Sequence, residues 1–223
     1  ILGVVTEITE IPVVIHIQGM LNAYREAWMP QGLSWSTYFR WHPMEYIHKK
    51  LLDRNCGREL GMYHNCPHFM GRTVWDKGIV ELLSPKAKYY YCSEMLRSVI
   101  YDSEKIWQRR EHSKKKILSI ISSPVYKGGD VILRVAKLLK KYVDFDFEWM
   151  VYGVSNLNDM QKLTGVEAAN VNVYVRGIIS ADQLVDEMTD ADVYVHPSYI
   201  ENSPNTVCEA QVLGVPVIAT HVG

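Results

Sequence analysis

From Ile117 onward, short apolar runs alternate with amphipathic stretches, and this rhythm leaves few architectures open. Ile117–Ile121, Phe147–Tyr152, Val171–Val175, Asp192–His196 and Val215–Ala219 read as strands. A helix opens at Gly129-Asp130, with Val131, Ile132, Val135, Ala136, Leu138 and Leu139 on one stripe and Lys137, Lys140 and Lys141 off it. Asn156–Leu163 and Pro204–Leu213 read as helices, and Ser180 caps a third that begins Ala181-Asp182-Gln183. Strands this apolar are buried on both faces, so the expected fold is α/β, a parallel, doubly wound sheet.

The first half is less regular. Pro12–Ile17 reads as a strand ending at Gln18-Gly19, His68–Gly71 and Ala87–Cys92 as two more, and Val74–Leu83 as a helix stopped by Pro85. Met44–Leu52 looks helical. Met20–Pro43, dense in Trp, Tyr, Pro and Gly, reads as a long loop with short helical pieces on a cleft rim. Asp102–Lys116 is highly charged and is the expected interdomain linker, with a solvated face. The expected division is 1–110 and 111–223. Without an initiator Met, and stopping just after a strand-like run, the chain reads as a fragment cut at both ends.

Among 223 residues, Lys+Arg total 24 against Asp+Glu 25, a net charge of −1, which argues against a dedicated nucleic-acid binder. Hydrophobic residues at 48% exclude a disordered chain. No apolar run approaches the roughly eighteen residues of a membrane span. The four cysteines, Cys56, Cys66, Cys92 and Cys208, are irregularly spaced, as in reduced cytoplasmic proteins. His64, Cys66 and His68 alternate, so on a strand they would share a face and could approach a metal, but Cys56 stands eight residues upstream of His64. Without a short-spaced pair, ordinary core and loop residues are the expectation, with no metal site.

Ligands of open α/β sheets bind beyond the carboxyl ends of the strands. The richest such stretch is His196-Pro-Ser-Tyr-Ile-Glu-Asn-Ser-Pro-Asn-Thr-Val-Cys-Glu209. Ser203 fits an N-cap and Pro204 the first helical position, leaving the amides of Asn205 and Thr206 free for a phosphate. Glu201 before the helix and Glu209 inside it flank that position. Two carboxylates beside a diphosphate suit a sugar nucleotide, one for ribose hydroxyls and one for the sugar.

This stretch, with Arg176-Gly-Ile-Ile-Ser and Ala191-Asp-Val-Tyr-Val-His-Pro-Ser before it and Gly214-Val-Pro-Val-Ile-Ala-Thr after it, resembles the donor-binding core of retaining glycosyltransferase family 4. The resemblance runs from about Val175 to Gly223. It implies the GT-B fold, two Rossmann-like domains facing a cleft, both truncated in this chain. It further implies that Glu201 contacts the donor sugar, that Asn205 and Thr206, with Ser203, hold the diphosphate, and that Glu209 binds the ribose. Arg176 and Gly177 would meet the base, and Lys127 would neutralise the leaving diphosphate.

Two positions depart from the family pattern. An arginine expected about five residues before Lys127 is replaced by Ser122; Arg72 is a candidate substitute, or else it pairs with Asp76 as a helix cap. The acceptor-side histidine falls on Gln18, while His16 shares its strand face and is either a donor to substrate or a core residue. Trp28, Trp35, Tyr38, Phe39 and Trp41 either stack on sugar rings or pack the rim. The implied function is transfer of a sugar from a UDP-, GDP- or ADP-sugar to a hydroxyl of a glycan or glycolipid, in glycan, lipopolysaccharide or capsule assembly. No cofactor is implied, nor a metal ion, since no Asp-x-Asp falls in a loop matching the metal-dependent class. The expected location is cytoplasmic, with peripheral association at the inner face of the membrane. A sugar-nucleotide epimerase of the same fold and a non-catalytic sugar-nucleotide-binding protein remain alternatives.

Overall fold

The computed structural model describes residues 12–93 and 95–222. Residues 1–11, where the first expected domain begins, and Gly223, where the resemblance ends, lie outside the described residues. Two parallel sheets carry the chain. The first joins β1 (Ile15–His16), β2 (His68–Gly71) and β3 (Lys88–Tyr91) in that order. The second holds β4 (Lys115–Ile120), β5 (Phe147–Tyr152), β6 (Val173–Gly177), β7 (Val193–His196) and β8 (Val217–Ala219), ordered β6-β5-β4-β7-β8. The chain runs outward from β4 to β6, then returns to the other side of β4 for β7. The switch point therefore lies between the ends of β4 and β7, which is where a parallel sheet opens a binding crevice.

Helices α1 (Leu21–Ala27), α2 (Trp35–Trp41), α3 (Glu45–Asn65) and α4 (Val74–Leu83) accompany the first sheet in sequence. After α5 (Ser98–Tyr101), α6 (Gly129–Tyr142), α7 (Asn158–Thr164), α8 (Ala181–Asp190) and α9 (Asn205–Val212) accompany the second. The buried face of α6 is rotated from the expected stripe: Ile132 and Ala136 are buried with Leu133, which lay outside the stripe, against Trp149 and Val151, while Leu138 is exposed. Ser180 caps α8 in a capping box with Gln183, as its sequence predicts.

Several expectations need correction. The first strand is two residues long, not the run from Pro12 to Ile17. The helix expected over Met44–Leu52 continues to Asn65 and includes Cys56 and His64. His64 is thus helical and Cys66 is the C-cap, so no strand face gathers His64, Cys66 and His68. Cys66 Sγ instead contacts the carbonyl of His68 at 3.2 Å. Among the described residues, no group of three His, Cys, Asp or Glu side chains is arranged to hold a metal ion. The charged segment 102–116 is strapped to the second sheet's flank and its end forms β4. Trp107 donates from its ring to the Ala191 carbonyl (2.7 Å) and from its backbone to Leu213 (2.8 Å). Arg110 pairs with Asp190, and His112 lies 3.3 Å from Asp192.

The aromatic stretch also finds its place. Leu33 and Tyr38 are buried in the second sheet's core, with Trp28, Trp35 and Trp41 packed against it. Trp28 lies 4.8 Å from Tyr126, centroid to centroid, and His42 Nε2 meets Asp159 Oδ2 at 2.6 Å. These residues join the two sheets. No described helix is long and apolar enough to cross a membrane.

Candidate donor-binding cleft

The loops after β4 and β7 form the site, and they touch at one point. Gly128, the residue before α6, has φ +75°, and a Cβ placed there would sit 2.0 Å from the Pro197 carbonyl oxygen. Only glycine accepts both the backbone geometry and this approach. A backbone bond from Tyr199 to the Tyr126 carbonyl (2.9 Å) closes the contact. Lys127 is thereby carried over to Glu201.

A cavity of about 300 Å³ opens here, lined by Gln18, Arg72, Ser122, Lys127, His196, Glu201 and the residues from Ser203 to Thr206, among others. The catalytic and diphosphate-holding residues expected from sequence thus converge, with the exception of His16. His16 reaches the cavity only through Gln18, whose amide nitrogen lies 3.1 Å from its ring. Pro204, not Ser203, caps α9: its carbonyl receives the first helical bonds, from Val207 (3.0 Å) and Cys208 (3.3 Å). Its extended backbone delays helix entry by one residue, while the Ser203 carbonyl accepts a bond from Arg72 Nη2 (3.1 Å). Asn205 and Thr206 therefore form the first helical turn and line the cavity.

Glu201 is 5% exposed and its Oε1 accepts from both Lys127 Nζ and His196 Nε2, the latter at 2.8 Å. Burial pushes its carboxyl upward, but bonds from His196, Lys127 and Ser198 and the Lys127 charge outweigh it and hold the group below the usual glutamate range. Glu201 is therefore an anion at neutral pH, paired with a cation across the cleft. Asp130, in the first turn of α6, is held by the Tyr199 hydroxyl (2.8 Å); burial dominates and raises its carboxyl.

Glu209 stands apart from the cavity. It is 1% exposed, and Arg97 grips it with a fork, Nε to Oε1 at 2.8 Å and Nη2 to Oε2 at 2.6 Å. Arg97 is the cap of α5, 112 positions away, and the sequence carries no local signal for it. Arg176 and Gly177 close β6; Arg176 lines a different hollow, between β5 and α8. Arg72 is placed by Asp76, whose Oδ2 accepts from the Arg72 backbone (3.0 Å), but its guanidinium turns to Gln18 Oε1 (3.3 Å) and Ser203 rather than to that carboxylate. Thr73 Oγ1 donates to Asn202 Oδ1 at 2.7 Å, so the loop after β2 rests on the loop carrying Glu201. His196 was part of the stretch singled out in sequence but had no role there; the structure gives it three buried partners, Tyr194, Ser198 and Glu201.

Known proteins share this fold. Residues 114–223 match the family model of glycosyl transferases group 1. The match begins at β4 and takes in the whole second sheet. D-inositol 3-phosphate glycosyltransferase of Arthrobacter sp. (strain FB24) is 34% identical over 101 residues, 44% of this chain and 24% of that protein. The same enzyme of Paenarthrobacter aurescens (strain TC1) is 35% identical over 101 residues and covers 25% of its length. The chain thus matches about a quarter of these curated relatives. Among solved structures, sucrose-phosphate synthase from Thermosynechococcus elongatus superposes with a TM-score of 0.62 at 14% identity, over 98% of this chain and 52% of that one. WaaG, involved in lipopolysaccharide biosynthesis, gives 0.61 at 18% identity over 96% and 58%. Anabaena HepE, solved with UDP and glucose, gives 0.57 at 14% identity over 99% and 56%. The shared fold is the GT-B arrangement of two parallel α/β sheets facing a cleft.

Proposed function

We propose that this chain forms the donor cleft of a retaining glycosyltransferase that moves a sugar from a nucleotide-diphosphate sugar to an acceptor hydroxyl. The observation that carries this reading is the cavity in which Lys127, Glu201 and the start of α9 meet. A helix start offers unpaired amides and a positive dipole end, which suit a diphosphate. Lys127 adds the charge needed as the leaving phosphate becomes anionic, and Arg72, on the opposite wall, adds a second. These groups stand in for a metal ion, so the proposed reaction is metal-independent. Glu201 faces the donor sugar, where its negative charge stabilises the positive charge that develops on the ring.

The acceptor oxygen attacks the anomeric carbon on the face that the phosphate leaves, and that phosphate takes the acceptor proton. No protein base is required, consistent with Gln18 at the cavity, an amide that orients a hydroxyl without carrying its proton. His16 supports Gln18 from behind. Glu209 is the proposed ribose ligand, sharing its carboxylate with Arg97, and Arg176-Gly177 the proposed base contact. Solved neighbours hold UDP, and the donor here is a UDP-, GDP- or ADP-sugar. A glycan or glycolipid acceptor, met at the cytoplasmic face of the membrane, completes the proposal.

The test is a transfer assay with labelled nucleotide sugars on the complete protein. Glu201→Ala abolishes transfer, by more than about a hundredfold, yet binds nucleotide as before. Wild-type turnover in that variant ends the assignment.

A further inference from the structure

Resting on that reading of Glu201, we propose that His196 is a positioning residue that keeps the Glu201 carboxylate aimed into the cleft while Lys127 engages the leaving diphosphate. In the structure both cationic or donor groups converge on the same oxygen, Oε1. Lys127 lines the cavity beside the start of α9, so a diphosphate bound there attracts the ammonium that now serves Glu201. One ammonium cannot hold both anions in its best geometry. Whatever keeps Glu201 in place must be a second donor that its other bonds hold at the carboxylate.

His196 fits that requirement. It closes β7, is 3% exposed, and sits with its Nε2 at 2.8 Å from Glu201 Oε1. Since Glu201 is ionised, the proton between the two atoms belongs to Nε2. The ring cannot swing away, because Nδ1 is bonded to the Tyr194 hydroxyl at 3.1 Å, and that hydroxyl is bonded to Thr206 Oγ1 at 2.8 Å. Ser198 Oγ, 3.0 Å from Nε2, closes the set. A buried polar chain thus runs from Thr206, at the diphosphate end of the cleft, to Glu201, at the sugar end. Buried chains of this kind fix a geometry because each member would be left unpaired by any other.

His196 thereby differs from the residues proposed to bind donor. Its Nε2 is engaged with Glu201 and its Nδ1 with Tyr194, so its loss should lower turnover and leave ground-state binding alone. The experiment uses the complete protein. Steady-state transfer and calorimetric binding of the nucleoside diphosphate are measured for His196→Ala, His196→Gln and Tyr194→Phe, with Glu201→Ala alongside. A glutamine places its amide nitrogen near the position of Nε2 and restores the donor. The expected result is a fall in kcat of about tenfold or more for His196→Ala, with donor KM and nucleotide Kd within about threefold of wild type. Recovery of most of that loss is expected in His196→Gln, and a loss of about threefold in kcat in Tyr194→Phe, whose ring still fills its buried site. Wild-type kcat in His196→Ala, a glutamine variant as impaired as alanine, or a loss that appears in KM and Kd instead, would overturn the proposal. If His196→Ala does not fold, an unchanged kcat in Tyr194→Phe overturns it equally. Active Glu201→Ala would instead sink the underlying reading of the site, whatever the His196 variants show.

Discussion

Glu201 gathers the local electrostatics of the cleft. Taking a carboxylate out of water is costly unless donors replace the lost hydration, and here Lys127 and His196 do so from two sides. Because its folded-state pKa lies below the ordinary glutamate value, the pairing stabilises the native state above about pH 4 and the effect disappears as pH falls through the folded pKa. Urea unfolding of wild type and Glu201→Gln should therefore differ at pH 7 and converge as the pH falls through the lowered titration of Glu201; a gap that stays constant with pH would contradict this. Strand-end spacing brought the loops of Lys127 and of Glu201 to Thr206 to notice in the sequence, and only the family resemblance singled out Lys127 within its loop. Neither signal revealed that Lys127 and Glu201, 74 positions apart, pair with each other. That pairing depends on how two loops meet, which no local pattern encodes.

Among the elements, α6 and α9 were legible and α3 only in part. The α6 stripe is strong, whereas α3 buries just Cys56, Glu59 and Tyr63, so its apolar period is faint and its second half is invisible to pattern reading. One buried member, Glu59, caps α1 from a distance by accepting from the backbone of Leu21 (2.7 Å) and Asn22 (2.9 Å). The contact between the β4 and β7 loops rests on Gly128. Gly128→Ala forces a side chain into the Pro197 carbonyl at positive φ, and should cost about 2 kcal/mol or more in chemical denaturation. Arg97 holds α5 to α9 through Glu209. Arg97→Ala leaves a buried carboxylate uncompensated and should cost about 2 kcal/mol. Arg97→Lys should recover only part, since one ammonium cannot reproduce the fork. Equal stability of all three proteins would show that Glu209 finds another partner.

Across the whole molecule, the two sheets are joined by more than the connecting chain. Residues from Trp28 to Trp41 leave the first sheet and pack on the core of the second, and the Trp28 ring packs at a tilt against Tyr126 beside Lys127. Composition marked this stretch as unusual, but its aromatic residues lack a period, so the surface they cover was not readable. Trp28→Ala should loosen the loop that carries Lys127: amide exchange from Tyr126 to Gly129 should quicken about tenfold while β5 keeps its protection. Uniform quickening across both sheets would mean that Trp28 serves global stability alone. The cleft is then a property of the assembled chain: Arg72 and Gln18 come from the first sheet, Lys127 and Glu201 from the second.

The most direct test of the account is calorimetric titration of the protein with UDP, GDP and ADP, repeated on Lys127→Ala and Glu209→Ala. One nucleoside diphosphate should bind, with affinity falling about tenfold or more in each variant. Binding that both substitutions leave unchanged, or no binding of any of the three to the folded protein, would contradict the assignment of this cleft to a nucleotide-sugar donor.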